Sequence, residues 1–285
     1  MAILPRAPAP PVTADQANHD ARRASQRAGV VIRTLHVPEE HAGAADLAAR
    51  VWRSSDTSAL DKSLLRALAH TGNFVVGAFA GHELVGLSVG FRTGHPVAGL
   101  HSHMTCTAED RRGAGLGYAL KLHQRAWALA EGLVTITWTF DPLARHNAFF
   151  NLVKLGAQVH QYLPDFYGPM SDGLNAGDES DRLLMSWDIA SGPVTAREDG
   201  FAAAAGTLRL STSPDGQPLP LTSGAAEVGC QVPPDIIGLR TTDPGLALRW
   251  RRELRVALLG AFADGYRITG FTRSGYYVLS RDRTR

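Results

Sequence analysis

Lysine is almost missing from this chain. Lys62, Lys121 and Lys154 are the only lysines among 29 Lys+Arg residues, which face 27 acidic ones for a formal net charge of +2. That balance lacks the dense basic face with which a nucleic-acid binder neutralises phosphates. Cysteine is scarce as well. Cys106 and Cys230 lie far apart and in no Cys-x-x-Cys pair, which excludes a disulfide framework and a zinc site of ordinary spacing. The expected setting is therefore reduced and cytoplasmic. No apolar run approaches the roughly eighteen residues of a membrane-spanning helix, and the N-terminus lacks the basic-then-apolar order of a signal peptide. Neither a nucleic acid, a membrane nor a metal is expected as partner.

What is present is a chain of 285 residues, 44% hydrophobic and 20% charged, which calls for a packed core. Residues 1–29, rich in Ala, Pro, Gln and Arg without an apolar period, read as a mobile tail. A short strand follows at Val30–His36, then helical spacing over Glu39–Arg53 and Asp61–His70. Phe74–Phe79 and Leu84–Phe91 flank Ala80-Gly81-His82-Glu83 as a β-hairpin. Leu100–Thr107 reads as a strand, Leu116–Glu131 as a helix ended by Gly132, and Val134–Phe140 as a half-buried strand. Asp141-Pro142 has the form of an N-cap with Pro at the first helical position, and that helix stops at Gly156. Gln158–Tyr162 and Arg182–Ile189 are further strands, separated by the polar loop 167–181. Beyond Ser191 the texture changes to Gly, Pro, Ser and Thr with short strands such as Thr207–Leu210. One long amphipathic helix follows over Pro244–Ala263, then a closing hairpin. No internal repeat is visible.

The segment with chemistry is Arg111-Arg112-Gly113-Ala114-Gly115-Leu116-Gly117, which joins a strand to a helix. Alternate glycines remove Cβ atoms where a ligand must approach the backbone. The first turn of the helix offers unpaired N–H groups and the positive end of its dipole. Together they suit an anion, phosphate above all. A tight turn in which glycine only permits close packing is the plainer alternative. A P-loop would need Lys-Ser/Thr after the last glycine, where Tyr118-Ala119 stands. A dinucleotide fingerprint would need glycine at Tyr118.

The spacing Arg112, Gly115, Gly117 after a strand resembles the coenzyme A pyrophosphate loop of the GNAT superfamily of CoA-dependent N-acyltransferases. Asn147-Ala148 followed by Lys154-Leu155-Gly156-Ala157 is similar to a second stretch of that family, and the order of elements over 30–190 is similar too. The resemblance implies an α/β (α+β) fold: a GNAT-like mixed central sheet flanked by helices over 30–190, with 191–285 as a C-terminal extension packed on that core. It implies acyl-CoA as co-substrate. The main chain at Thr105, Cys106 and Thr107 would hold pantetheine and the acyl carbonyl. The N–H groups of Arg112, Gly113, Ala114, Gly115, Leu116 and Gly117 would take the pyrophosphate, and Asn147 the pantetheine arm or a water. One departure stands out: the family's usual Tyr acid falls on Leu152, which leaves Tyr162 and Tyr167 as substitutes.

Other candidates come from the residues themselves. His101 and His103 sit two apart on a strand and share a face. His103 would be a general base and His101 a substrate contact; a metal would need further ligands, and none stands at a telling spacing. Cys106 would need a partnering base to act as a nucleophile, and none is evident. The loop 167–181 fails the EF-hand pattern at Leu174 and Ala176 and reads as a substrate lid or interaction loop. Arg182 is placed either to bind an acceptor carboxylate or to tie down that loop's acids. The expected activity is transfer of an acetyl, succinyl or other acyl group from CoA to a small amine, possibly an amino acid. A non-catalytic CoA-binding module and another acyl-CoA reaction such as decarboxylation stand beside it. The extension leaves a homodimer open.

Overall fold

The computed structural model describes residues 11–53, 60–94, 98–170, 172–175, 177–191, 201–204 and 206–281. Parts of the expected tail (1–10), of the loop 167–181 (171 and 176) and of the extension (192–200, 205 and 282–285) lie outside the described residues. The chain divides into two compact units, 1–137 with 188–194, and 138–187 with 195–285. The division does not follow the change of texture after Ser191. The extension instead shares a unit with the second half of the region before it.

The first unit opens with a correction. Residues 14–27, expected within a mobile tail, form helix α1 (Ala14–Arg27). Thr13 caps it by accepting from the Gln16 N–H, and Ala17, Ala21 and Ala24 are buried. Alanine at spacings of four and three buries a face too slight to register as an apolar period, and the face packs on a later helix, α4 (Leu116–Ala130). Strand β1 (Val31–Thr34) leads to α2 (Pro38–Trp52) and α3 (Lys62–His70), the latter capped by the Asp61 carboxylate on the N–H of Ser63 and Leu64. β2 (Phe74–Ala80) and β3 (Glu83–Thr93) form the expected hairpin, with Gly81 at φ +61° in the turn. β4 (Gly99–Thr107) pairs antiparallel with β3, and β5 (Thr135–Phe140) begins parallel to β4. Leu35, Leu47, Leu65, Val75, Leu87, Val89 and Cys106 form the buried core between these strands and α2–α3.

β5 and β7 (Arg182–Asp188) run across the division, and the seven-stranded mixed sheet has the order β1-β2-β3-β4-β5-β7-β6, with β6 at Gln158–Leu163. The expected mixed sheet and C-terminal extension are both present. In the second unit the helix expected from Asp141 starts later: α5 is Arg145–Phe149, followed by a wider π-type turn over Phe150–Lys154 and by Gly156 at φ +67°. Asp141 therefore is not an N-cap. Its carboxylate accepts from the Leu143 N–H and is otherwise engaged by arginines. The extension builds a second sheet of order β11-β12-β10-β8-β9: β8 Leu208–Thr212, β9 Pro218–Pro220, β10 Glu227–Gln231, β11 Arg267–Phe271 and β12 Tyr276–Ser280. Short α6 (Ile236–Thr242) and long α7 (Pro244–Ala263) accompany it, with Trp250, Leu254 and Leu258 buried on one stripe of α7. No helix among the described residues is long and apolar enough to cross a membrane.

Candidate active site

In the first unit, β4 ends in a 3-10 turn (Glu109–Arg111) and the glycine loop carries the chain into α4. Gly113 and Gly115 stand at φ +82° and +79°, backbone that side chains resist, and Gly115 is the left-handed residue at the start of the helix. Gly117 has no such excuse. It lies inside the first turn of α4, where glycine weakens a helix by about 1 kcal/mol relative to alanine. A Cβ added at Gly113, Gly115 or Gly117 would meet nothing of the chain within 4 Å. Close packing therefore does not account for these glycines. The space they leave open lies outside the chain.

The same loop holds unspent donors. Among the described residues, the N–H groups of Gly113, Gly115, Leu116, Gly117 and Tyr118 have no acceptor, while those of Arg112 and Ala114 are used within the turn on Glu109 and Arg111. Of the expected donors, Arg112 through Gly117, those of Arg112 and Ala114 are thus engaged within the turn, and Tyr118 adds an open one. Arg111 and Arg112 lie 3.6 and 3.7 Å from Asp110 and Glu109, which offsets the acids at the rim.

β4 itself is irregular at the point that matters. Val89 pairs with Met104 and Gly90 with Ser102, so His103 is an extra residue bulged from the ladder. β4 pairs with β5 only at Leu100 and His101. From Ser102 to Thr107 the edge away from β3 has no strand partner among the described residues, which leaves main-chain groups for a ligand. His101 and His103 both lie against the ring of Phe91, at 5.2 and 5.9 Å. The His101 imidazole is pushed down to about 4 by burial, helped by His103 and Lys121, and its Nδ1 is 3.1 Å from the Thr137 hydroxyl. His103 is exposed at the surface, yet desolvation pushes it below its ordinary value too. Both are neutral at pH 7. Cys106 is buried in the core, with its thiol pushed up to about 12 by burial, which removes it as a nucleophile.

One group here escaped the sequence reading. Lys121 of α4 is buried under β4 and donates to the Ser102 hydroxyl at 2.8 Å and to Gln124 Oε1 at 3.3 Å. Gln124 reaches the Ser88 hydroxyl at 3.5 Å, which in turn lies 2.9 Å from the Thr105 hydroxyl. The chain of contacts fastens both sides of the His103 bulge to α4. Burial pushes the Lys121 ammonium down to about 7 from 10.5. The folded state thus binds fewer protons than the unfolded one above pH 7, and stability gains from this group as pH rises. The difference in denaturant stability between the parent and Lys121→Met is expected to move in the parent's favour between pH 7 and 8.5. A difference that is flat with pH would contradict the assignment.

The second unit places the remaining candidates. Asn147 is exposed on α5. Leu152, at the position of the family's tyrosine, is buried. Tyr162 is buried and donates its hydroxyl to Asp181, and burial together with that carboxylate pushes its pKa far up. Its proton is committed, so it leaves the set of candidate acids. Tyr167 is exposed, with its hydroxyl 2.9 Å from that of Thr139 and its ring 5.3 Å beneath the Arg182 guanidinium.

Arg182 does not tie down the loop acids. Buried, it donates to the Asp181 carbonyl (2.8 Å), to Met170 Sδ (3.0 Å) and to Asn175 Oδ1 (3.4 Å), none of them a carboxylate. The acids go to α6 and α7 instead. Asp178 meets Arg240 at 2.9 Å and Arg251 at 2.8 Å, Glu179 meets Arg252 at 2.9 Å, and Asp181 meets Arg255 at 2.5 Å. Asp141 joins through Arg251 at 2.6 Å and through Arg240. These ion pairs pin the end of the loop, Asp178 to Asp181, to α6 and α7. Among the described residues no group of His, Cys, Asp or Glu is arranged to hold a metal.

No protein-family model matches the chain, and no curated protein matches it. Solved structures do. A GNAT-family protein from Desulfovibrio desulfuricans is similar over 56% of this chain and 99% of its own, at 16% identity and a TM-score of 0.47. The acetyltransferase of the GNAT family from Streptococcus pneumoniae is similar over 55% and 98%, at 18% identity and a TM-score of 0.44. A GNAT-family acetyltransferase from Elizabethkingia anophelis with acetyl-CoA bound is similar over 56% and 98%, at 14% identity and a TM-score of 0.41. Each of those chains is matched almost end to end, and little more than half of this one.

Proposed function

We propose that this protein is an acyl-CoA-dependent N-acyltransferase for a small amine. The observation that carries the reading is the glycine loop: five main-chain donors without an acceptor, beside three glycines whose missing side chains open onto empty space. Such an array suits a pyrophosphate, because its donors are fixed in advance and the helix adds its positive end. The main chain of β4 past the His103 bulge, at Thr105, Cys106 and Thr107, takes the pantetheine arm and the acyl carbonyl, and Asn147 remains assigned to the arm or a water.

In the reaction the amine nitrogen attacks the thioester carbon. A C–N bond forms, the C–S bond breaks, the amine loses a proton and the thiolate gains one. His103, neutral and exposed, is the base. Tyr167, an exposed residue whose hydroxyl lies on that of Thr139, is the candidate acid that the second unit retains. Arg182, a buried cation whose hydrogen bonds among the described residues go to no carboxylate, would give the second unit an affinity for acidic acceptors such as amino acids.

The test is release of free CoA thiol when acyl-CoAs (acetyl, succinyl and longer) are offered with a panel of amines and amino acids. Turnover is expected with at least one pair, faster for acceptors that carry a carboxylate. A second reading has its own support. Leu152 is buried and Tyr162 is committed to Asp181, so a chain that binds CoA and never turns over would be a CoA-binding module.

A further inference from the structure

We propose that Lys121 is a positioning residue for acyl transfer. Through Ser102 on one flank, and through Gln124, Ser88 and Thr105 on the other, it holds the His103 bulge of β4 in one place against α4. This role rests on the proposed activity, in which β4 past the bulge takes the acyl carbonyl and His103 is the base.

β4 needs such a hold. A bulge interrupts the ladder and bends the strand that carries it. Here Val89 pairs with Met104 and Gly90 with Ser102, so His103 has no cross-strand partner. The pairing with β5 covers only Leu100 and His101. From Ser102 onward β4 is laddered to β3 alone, and among the described residues its other edge meets no strand.

α4 supplies the hold. Lys121 is 5% exposed, and its ammonium donates to the Ser102 hydroxyl at 2.8 Å and to Gln124 Oε1 at 3.3 Å. Gln124 Nε2 lies 3.5 Å from the Ser88 hydroxyl, which lies 2.9 Å from that of Thr105. Ser102 directly precedes the bulged residue and Thr105 follows it by two, so the two arms close on the bulge from both sides. Position 121 stands among Leu116, Ala119, Leu120, Leu122 and Ala126, all buried on α4. An apolar side chain there would avoid the penalty of burying an ammonium. What a satisfied polar set supplies instead is one defined arrangement of the strand. Lys121 also lies about one helical turn past Gly117. The helix that begins in the glycine loop therefore also fixes the strand that takes the acyl end.

The test is the double variant Lys121→Met/Ser102→Ala, which removes donor and acceptor together. Neither is left stranded, so the thermal midpoint is expected to stay close to the parent's. In ¹⁵N relaxation the amides of His103, Met104 and Thr105 are expected to lose order, while those of Val75 and Leu87 keep it. With an acyl-CoA and amine pair that the parent turns over, kcat is expected to fall at least about tenfold, and the affinity for CoA, set at the glycine loop, to change less than about threefold. A residue that served stability alone would move the midpoint and leave this split unmade. Should the double variant not fold, Ser88→Ala opens the other arm, and Thr105 is where the loss of order is read alongside the same fall in kcat. A bulge that keeps its order overturns the proposal, and so does a loosened bulge with unchanged kcat. A parent that turns over no pair sinks the reading of the activity instead, and the order of the bulge then judges the clamp by itself.

Discussion

Gly117→Glu is expected to leave the protein folded and to lower its affinity for CoA at least about a hundredfold, which corresponds to ~2.7 kcal/mol. The two halves of this expectation have separate causes. Gly117 is helical and a side chain there meets nothing of the chain within 4 Å, so the substitution asks for no rearrangement. It does place a carboxylate among the N–H groups of Gly115, Leu116 and Tyr118, where a pyrophosphate needs positive potential. Gly117→Ala makes the point with opposite signs. Helix propensity adds up to about 1 kcal/mol of stability, while the new methyl stands where the ligand approaches. Circular dichroism, thermal unfolding and calorimetric titration with CoA measure both quantities on the same samples. A variant that gains stability and binds CoA as the parent does would mean that this glycine serves only the helix.

Arg251→Met is expected to cost about 3–5 kcal/mol of stability, enough to unfold many domains outright. Arg251 is fully buried and bonds Asp141 and Asp178 at once. Burial alone would push the Asp141 carboxyl up, but Arg251 and Arg240 outweigh it and hold the group well below the usual carboxylate range. Removing the cation leaves two buried carboxylates to share Arg240 alone. The same logic sets the acid limit. A carboxylate with a depressed folded pKa contributes stability that is present above its unfolded value, near 4, and is lost as pH falls below it. The parent is therefore expected to lose stability steeply below pH 4, and Arg251→Met to show a shallower acid slope at its reduced level. Urea midpoints across pH 3–7 measure both. If Arg251→Met kept the parent's stability, the arginine cluster would not be holding the 167–181 loop.

The local order of the first unit was largely legible from residues. Period-two strands, the Gly81 turn and the glycine loop all rest on contacts within a few positions, and the structure returns them nearly residue for residue. Helix α1 was not legible, because its buried face is alanine and acquires meaning only against α4. Asp141-Pro142 read as a helix start from local signs alone, while Asp141 is claimed by arginines about a hundred positions away. The arginine excess was visible in composition, but composition does not say which acids the arginines meet. Spacing on α7 already put Arg251 and Arg255 on one face, but no local rule says that three loop acids and Asp141 would meet them. Lys121 likewise carries no local sign of the burial that tertiary packing gives it. At the site, residues that act through the main chain were the readable ones. The choice between Tyr162 and Tyr167 turned on a single long-range partner, Asp181.

The central claim is that the glycine loop grips the CoA pyrophosphate through its main chain. The most direct measurement is a titration of ¹⁵N-labelled protein with CoA, followed at the amides of Gly113, Gly115, Leu116, Gly117 and Tyr118. Saturable shifts at these five amides, with those of Arg112 and Ala114 moving less because their bonds are already made, are the expected result. Saturable CoA binding that leaves the five unmoved, or no binding at all, would contradict it.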